Sequence, residues 1–173
     1  MPWQQRRARR GEDPAERSAD PAGARARALA LLTGRDYASA ELYEKLCAHF
    51  TPEAAAGTVA ALVEAGLVDD QRYAEAKARS LRRARKSRLA AALALRGKGL
   101  TDGQIDAALE AAYAPGEAGE DPELEAARAL VAGPYRAKLD AGRRDLVAAA
   151  LARRGFPHRV IRQVLDAPDG EEA

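Results

Sequence analysis

Leu67 to Thr101 reads LVDDQRYAEAKARSLRRARKSRLAAALALRGKGLT, and this stretch decides the fold. At 100° per residue its first half sets Arg72, Arg79, Arg82, Arg83 and Lys86 on one arc of a helix, with Tyr73, Ala74, Leu81 and Ala84 roughly opposite. One face is basic and the other packs. Asp69 and Asp70 stand where the positive end of such a helix favours carboxylates. Long basic side chains can simply solvate an outer face. A solvated face would intersperse Glu at i+4, whereas Glu75 is the one acid within this helix after its start, and Arg88 adds a further cation. That pattern favours an anionic partner.

The stretch is also the middle copy of a repeat. ALALRGKGLTDGQIDAALEA, within the second half of the stretch and just beyond it, aligns without a gap on the sequence near the C-terminus, GRRDLVAAALARRGFPHRVIRQVLDA. Leu95 pairs with Leu151, Gly99 with Gly155, Leu100 with Phe156, Ile105 with Ile161 and Leu109 with Leu165. Leu46, Phe50, Ala55 and Val59 fill the same columns in a first copy if one residue is lost before Phe50. A repeat of roughly 50 residues therefore occurs three times, each copy being helix, helix, a corner of Gly and apolar residues, then helix. Neighbour-only contacts between such copies predict an elongated tandem array of three three-helix repeats, all-α, with nine helices.

Cap signals set the boundaries. Residues 1–20, with Arg6, Arg7, Arg9 and Arg10 among Gly, Pro, Asp and Ser, bury too little to offset their ordering entropy and are expected to be a disordered basic arm. Repeat 1 takes residues 21–68. Asp20-Pro21 opens a helix carrying Leu29, Leu31 and Leu32 to Gly34; Ser39 caps a second helix with Leu42 and Leu46 inside; Thr51-Pro52 opens a third, running through Val59 and Leu62 to Gly66. Repeat 2 takes residues 69–113. Its second helix, from Arg88, carries Leu89, Leu93 and Leu95, and Thr101 with Gln104 has the spacing of a capping box. Residues 114–122, APGEAGEDP, read as a linker. Repeat 3 spans 123–167, with an interruption at Gly133-Pro134, and 168–173 is a flexible tail.

Composition excludes several classes. A chain of 173 residues, 47% apolar and 31% charged but only 5% aromatic, builds its core from Leu, Val and abundant Ala, which suits close helix packing. The net charge of +2 is small, so any anionic partner must be met by local charge. Cys47 is the single cysteine, which rules out an internal disulfide or a thiolate metal cluster and suits a reducing cytoplasm. No apolar run follows the basic N-terminus, so no membrane anchor is expected. His49 and His158 lack metal-like spacing, and Gly97-Lys98-Gly99 lacks the earlier Gly, the Ser or Thr after Lys and the preceding strand of a phosphate loop. The expectation is a protein that is not an enzyme and needs no metal or cofactor.

Ser39-Ala-Glu-Leu42, Ala65-Gly-Leu-Val-Asp-Asp-Gln-Arg-Tyr-Ala74, Arg79-Ser80, the corner Lys98-Gly99-Leu100, and Ala152-Arg-Arg-Gly-Phe156 with Ile161-Arg162 and Leu165 together resemble the RecX family of bacterial regulatory proteins. The resemblance covers about residues 24 to 167. It departs where family members carry a large apolar residue in place of Lys77, a Gly within Arg85-Lys86-Ser87, and bulkier side chains around Ala90, Ala91 and Ala92. It implies a non-catalytic modulator that lies in the groove of a RecA recombinase filament on single-stranded DNA and limits strand exchange and ATPase activity; a monomer is expected. The candidate contacts are Arg72, Arg79, Arg82, Arg83, Lys86 and Arg88, with Arg153, Arg154 and Arg162 as a second set. Two other readings stay open. One is a tandem helix-turn-helix protein in which Arg79, Arg82, Arg83 and Lys86 contact DNA phosphates and base edges, while nonspecific contact with single- or double-stranded DNA is also compatible with filament binding. The other is a helical scaffold that touches no nucleic acid.

Overall fold

The computed structural model describes residues 17–116 and 119–166. Those residues form ten helices and no strand: α1 (Pro21–Gly34), α2 (Ser39–Leu46), α3 (Pro52–Glu64), α4 (Asp70–Arg83), α5 (Arg88–Arg96), α6 (Asp102–Ala112), α7 (Pro122–Ala132), α8 (Arg136–Asp140), α9 (Arg144–Arg153) and α10 (His158–Asp166). The fold is all-α and built of three-helix repeats. Nine helices are the expected ones. α8 is the addition, a short turn after Gly133-Pro134, where the buried Tyr135 ring anchors its start and an Arg136–Asp140 ion pair of 2.9 Å spans it.

Most ends follow the local signals. The Asp20 carboxylate accepts the Ala22 and Gly23 N–H groups, Thr51 accepts Ala54 N–H, and Thr101 with Gln104 forms the reciprocal box. Ser39 is a correction. It is the first helical residue of α2 rather than its cap, and both its N–H and its hydroxyl donate to the Asp70 carboxylate, at 2.7 and 2.6 Å. The expected disordered arm is corrected at its end, since Ser18 exchanges backbone hydrogen bonds with His49 and Thr51; residues 1–16 and the tail lie outside the described residues.

The third correction concerns the end of the basic helix. α4 stops at Arg83, and Arg85 takes the left-handed conformation, φ 54, with Arg85 N–H donating to the Arg82 carbonyl and Lys86 N–H to that of Leu81. Gly66 and Gly155 close α3 and α9 with the same pair of bonds. An arginine thus makes the turn that glycine makes elsewhere, and Lys86 lies past the helix instead of on its arc.

By contact density the chain divides into two compact units. Unit one runs to Ala74 and includes Leu95–Ile105; unit two comprises Glu75–Ala94 and the chain from Asp106. In unit one, α1 packs on α3 and α2 around Leu42, Leu46, Val59 and Leu62, all fully buried. The inner stripe of α1 is Ala24 and Ala28, with Leu31 and Leu32 partly covered, while Leu29 is exposed because it sits 100° away from Ala28. Small side chains allow α1 and α3 to approach closely. In unit two, α10 packs on α7 and α9, and α8 on α9, around Leu130, Val147, Leu151, Phe156 and Val160. The paired columns share depth except at two places: Leu109 is buried whereas Leu165 is only partly covered, and Phe50 is only partly covered where Leu100 and Phe156 are buried.

Candidate functional site

Arg72 belongs to unit one. It is exposed in the first turn of α4, its N–H held by the Asp69 carboxylate at 2.9 Å, beside a dimple of about 10 Å³ that admits no more than a water.

The other candidates lie in unit two. On the second half of α4, Arg79, Arg82 and Arg83 are exposed, but not equivalent. Arg79 faces Glu75 at 3.9 Å, a loose, solvent-exposed pair that contributes little. Arg82 donates to the Ala112 carbonyl at 3.2 Å, so it finishes α6 as well as offering charge. The Arg88 side chain is exposed, while its N–H donates to Glu123 at 2.9 Å. Glu123 is buried, and Asp121, two residues earlier, is bonded by Arg159 at 2.7 Å. Burial opposes the charge on Asp121, yet the Arg159 hydrogen bond and backbone N–H groups outweigh it and hold this carboxyl below its ordinary range. Arg162 is exposed on α10.

Lys86, Arg153 and Arg154 are brought together. They surround a groove of about 350 Å³ with Arg85, Leu89, Ala90, Leu93, Ala152 and Gly155. Its walls are tied. The Tyr113 hydroxyl donates to the Lys86 carbonyl at 2.9 Å, and burial pushes that phenol up to about 12, so it keeps its proton. Ser87, fully buried, donates its hydroxyl to the Arg154 carbonyl at 2.7 Å and accepts Ala90 N–H at 3.1 Å as the cap of α5. Gly155 is required there, since a Cβ would fall 2.8 Å from the Ser87 hydroxyl. Leu89 and Leu93 are 56% and 58% exposed.

In the sequence Leu89 and Leu93 stand with Leu95 in the apolar run of α5, and Arg85 marks only a departure from the family pattern, so none of the three is expected at a binding surface. The signal was present for the leucines. At 100° per residue Leu89 and Leu93 lie on the opposite side of α5 from Ala91 and Leu95, and the latter pair is fully buried. Arg85 gave none, because only its left-handed turn carries it to the groove.

Elsewhere, Cys47 is buried among apolar side chains, and burial raises its thiol despite a hydrogen bond with Tyr43. His49 and His158 are exposed. Among the described residues no three His, Cys, Asp or Glu side chains gather as metal ligands, and no helix is long and apolar enough to cross a membrane.

Residues 69–109 match the family model described as RecX, second three-helix domain. The chain is 38% identical over 146 residues to a regulatory protein RecX of Trichlorobacter lovleyi, covering 80% of this chain and 91% of that one. With the regulatory protein RecX of Streptomyces coelicolor it shares 37% over 176 aligned positions, 96% of this chain and 88% of the relative. Two crystal structures share the fold: a regulatory protein RecX, TM-score 0.72 at 24% identity over 84% of this chain and 71% of the other, and RecX from Lactobacillus salivarius, TM-score 0.69 at 20% identity over 86% and 97%. Identity at this level across most of both sequences, on the same all-helical repeats, means that the chain belongs to the RecX family of regulatory proteins.

Proposed function

We propose that the protein binds the RecA recombinase filament on single-stranded DNA and restrains strand exchange, ATP turnover and the repair that depends on them, working in the cytoplasm as a monomer without a cofactor. The supporting observation is the uneven charge of unit two, where Arg79, Arg83, Lys86 and Arg88 are exposed on a molecule whose net charge is only +2. Such local excess steers association with acidic protein or phosphate without making the whole molecule a polycation.

The test is the triple reversal Arg79→Glu, Arg83→Glu and Lys86→Glu. All three side chains are exposed, so the helical signal and melting should stay near wild type while inhibition of strand exchange is lost. Inhibition at wild-type concentrations by the triple variant refutes a role for this surface. Tight duplex binding that weakens by orders of magnitude between low and moderate salt, with no effect on the recombinase, indicates a DNA-binding protein instead.

A further inference from the structure

The groove between the start of α5 and the end of α9 shares Lys86, Arg153 and Arg154 with the filament reading but adds two leucines that this reading does not use. Leu89 and Leu93, one helical turn apart, stand more than half exposed on a helix whose opposite side, Ala91 and Leu95, is wholly buried. Four cations, Arg85, Lys86, Arg153 and Arg154, border them, no carboxylate is among the residues that line the groove, and none of the four forms an ion pair among the described residues. Exposed leucines on a soluble surface lose by facing water, and like charges close together repel. A ligand that relieves both is acidic and aliphatic at once.

We infer that this groove is a docking site for an acidic peptide segment that inserts aliphatic side chains between Leu89 and Leu93 and sets its carboxylates against the four cations. The lining argues for peptide over nucleic acid. It offers no aromatic ring on which a base would stack, and a phosphate strand has nothing to place on two leucines. The volume of about 350 Å³ suits one or two side chains rather than a whole domain. The backbone of both walls is tied before any ligand arrives, the Lys86 carbonyl by Tyr113 and the start of α5 and the Arg154 carbonyl by Ser87, while the Arg154 guanidinium lies over the Tyr135 ring, 5.6 Å from its centroid. A preformed groove loses less ordering entropy on binding.

The inference does not depend on the recombinase being the partner, and its test leaves the recombinase out. The full chain is panned against a displayed random-peptide library, with the Leu93→Asp variant as counter-selection, and enriched sequences are made as labelled synthetic peptides for anisotropy titration. Enriched peptides should combine several Asp or Glu with Leu, Ile or Met. Their affinity should fall by about tenfold or more in Leu93→Asp and, separately, in the double variant Arg153→Glu and Arg154→Glu, and should weaken with added salt. The altered side chains are exposed, and the double variant leaves the leucines untouched, so a folding defect in one variant does not decide the outcome. Neutral or basic consensus sequences, no enrichment over the counter-selection, or acidic peptides indifferent to both variants overturn the proposal. So does an oligothymidylate that displaces the peptides and itself depends on Leu93, since it would assign the groove to nucleic acid.

Discussion

Arg85 and Gly155 hold the same kind of turn with opposite consequences. The left-handed region costs a residue with a side chain about 1–2 kcal/mol, and Arg85 sits there at φ 54. Arg85→Gly should therefore stabilise the protein, by up to about 1 kcal/mol once the extra freedom of glycine in the unfolded chain is counted. An unchanged or lower denaturation midpoint would show that the turn holds no strain. Gly155 combines φ 81 with the contact its Cβ would make on Ser87, a buried hydroxyl already bonded on both sides. Gly155→Ala should cost roughly 2–4 kcal/mol. Gly66→Ala, at φ 68 with open space around it, should cost only the backbone part, about 1 kcal/mol.

Between elements, one device recurs in two repeats. The first N–H of α2, on Ser39, donates to a carboxylate from the start of α4, Asp70; the first N–H of α5, on Arg88, donates to one from the start of α7, Glu123. The positive end of each second helix thus meets an acid supplied by the next repeat. Asp70→Ala strands the N–H and hydroxyl of a residue 2% exposed, and a loss of about 1–3 kcal/mol in urea titrations is expected. Glu41 extends the theme: its carboxylate accepts Lys98 and Arg35, each at 2.9 Å. Burial opposes its charge, but the Lys98 and Arg35 interactions prevail, and the folded carboxyl lies below its ordinary 4.5. A depressed folded value stabilises above the unfolded value, and that contribution is lost as the pH falls through the folded one. Glu41→Gln should lower stability at neutral pH and flatten the acid limb of the stability curve. An acid limb identical to wild type would remove Glu41 from the account.

Across the whole molecule, each compact unit has its own apolar cluster. Leu151 is fully buried in unit two, so Leu151→Ala should cost roughly 2–5 kcal/mol, and Leu165→Ala, at a partly covered position, clearly less. Repeats stabilise chiefly through neighbours, so faster hydrogen exchange in Leu151→Ala should concentrate in α7, α9 and α10 and leave α1 to α3 near wild type. Equal loss of protection throughout would establish a single cooperative domain.

What the sequence determined by itself is the local and the repeated. Asp20-Pro21, Thr51-Pro52, Thr101 with Gln104 and Asp121-Pro122 each mark a helix start within one turn of chain, and their bonds form as the spacing predicts. Columns such as Leu95 with Leu151 and Leu100 with Phe156 share burial because the same corner recurs. Tertiary structure decided the rest. Ser39 looks like a cap until Asp70, 31 residues on, takes its hydrogens. Lys86 reads as part of a helical arc until Arg85 turns the chain and Ser87 bonds a carbonyl 67 residues away, setting Lys86 beside Arg153 and Arg154. A cap is chosen by atoms within a few residues of it, whereas which cations share a groove depends on how distant helices pack, and no spacing along the chain encodes that distance.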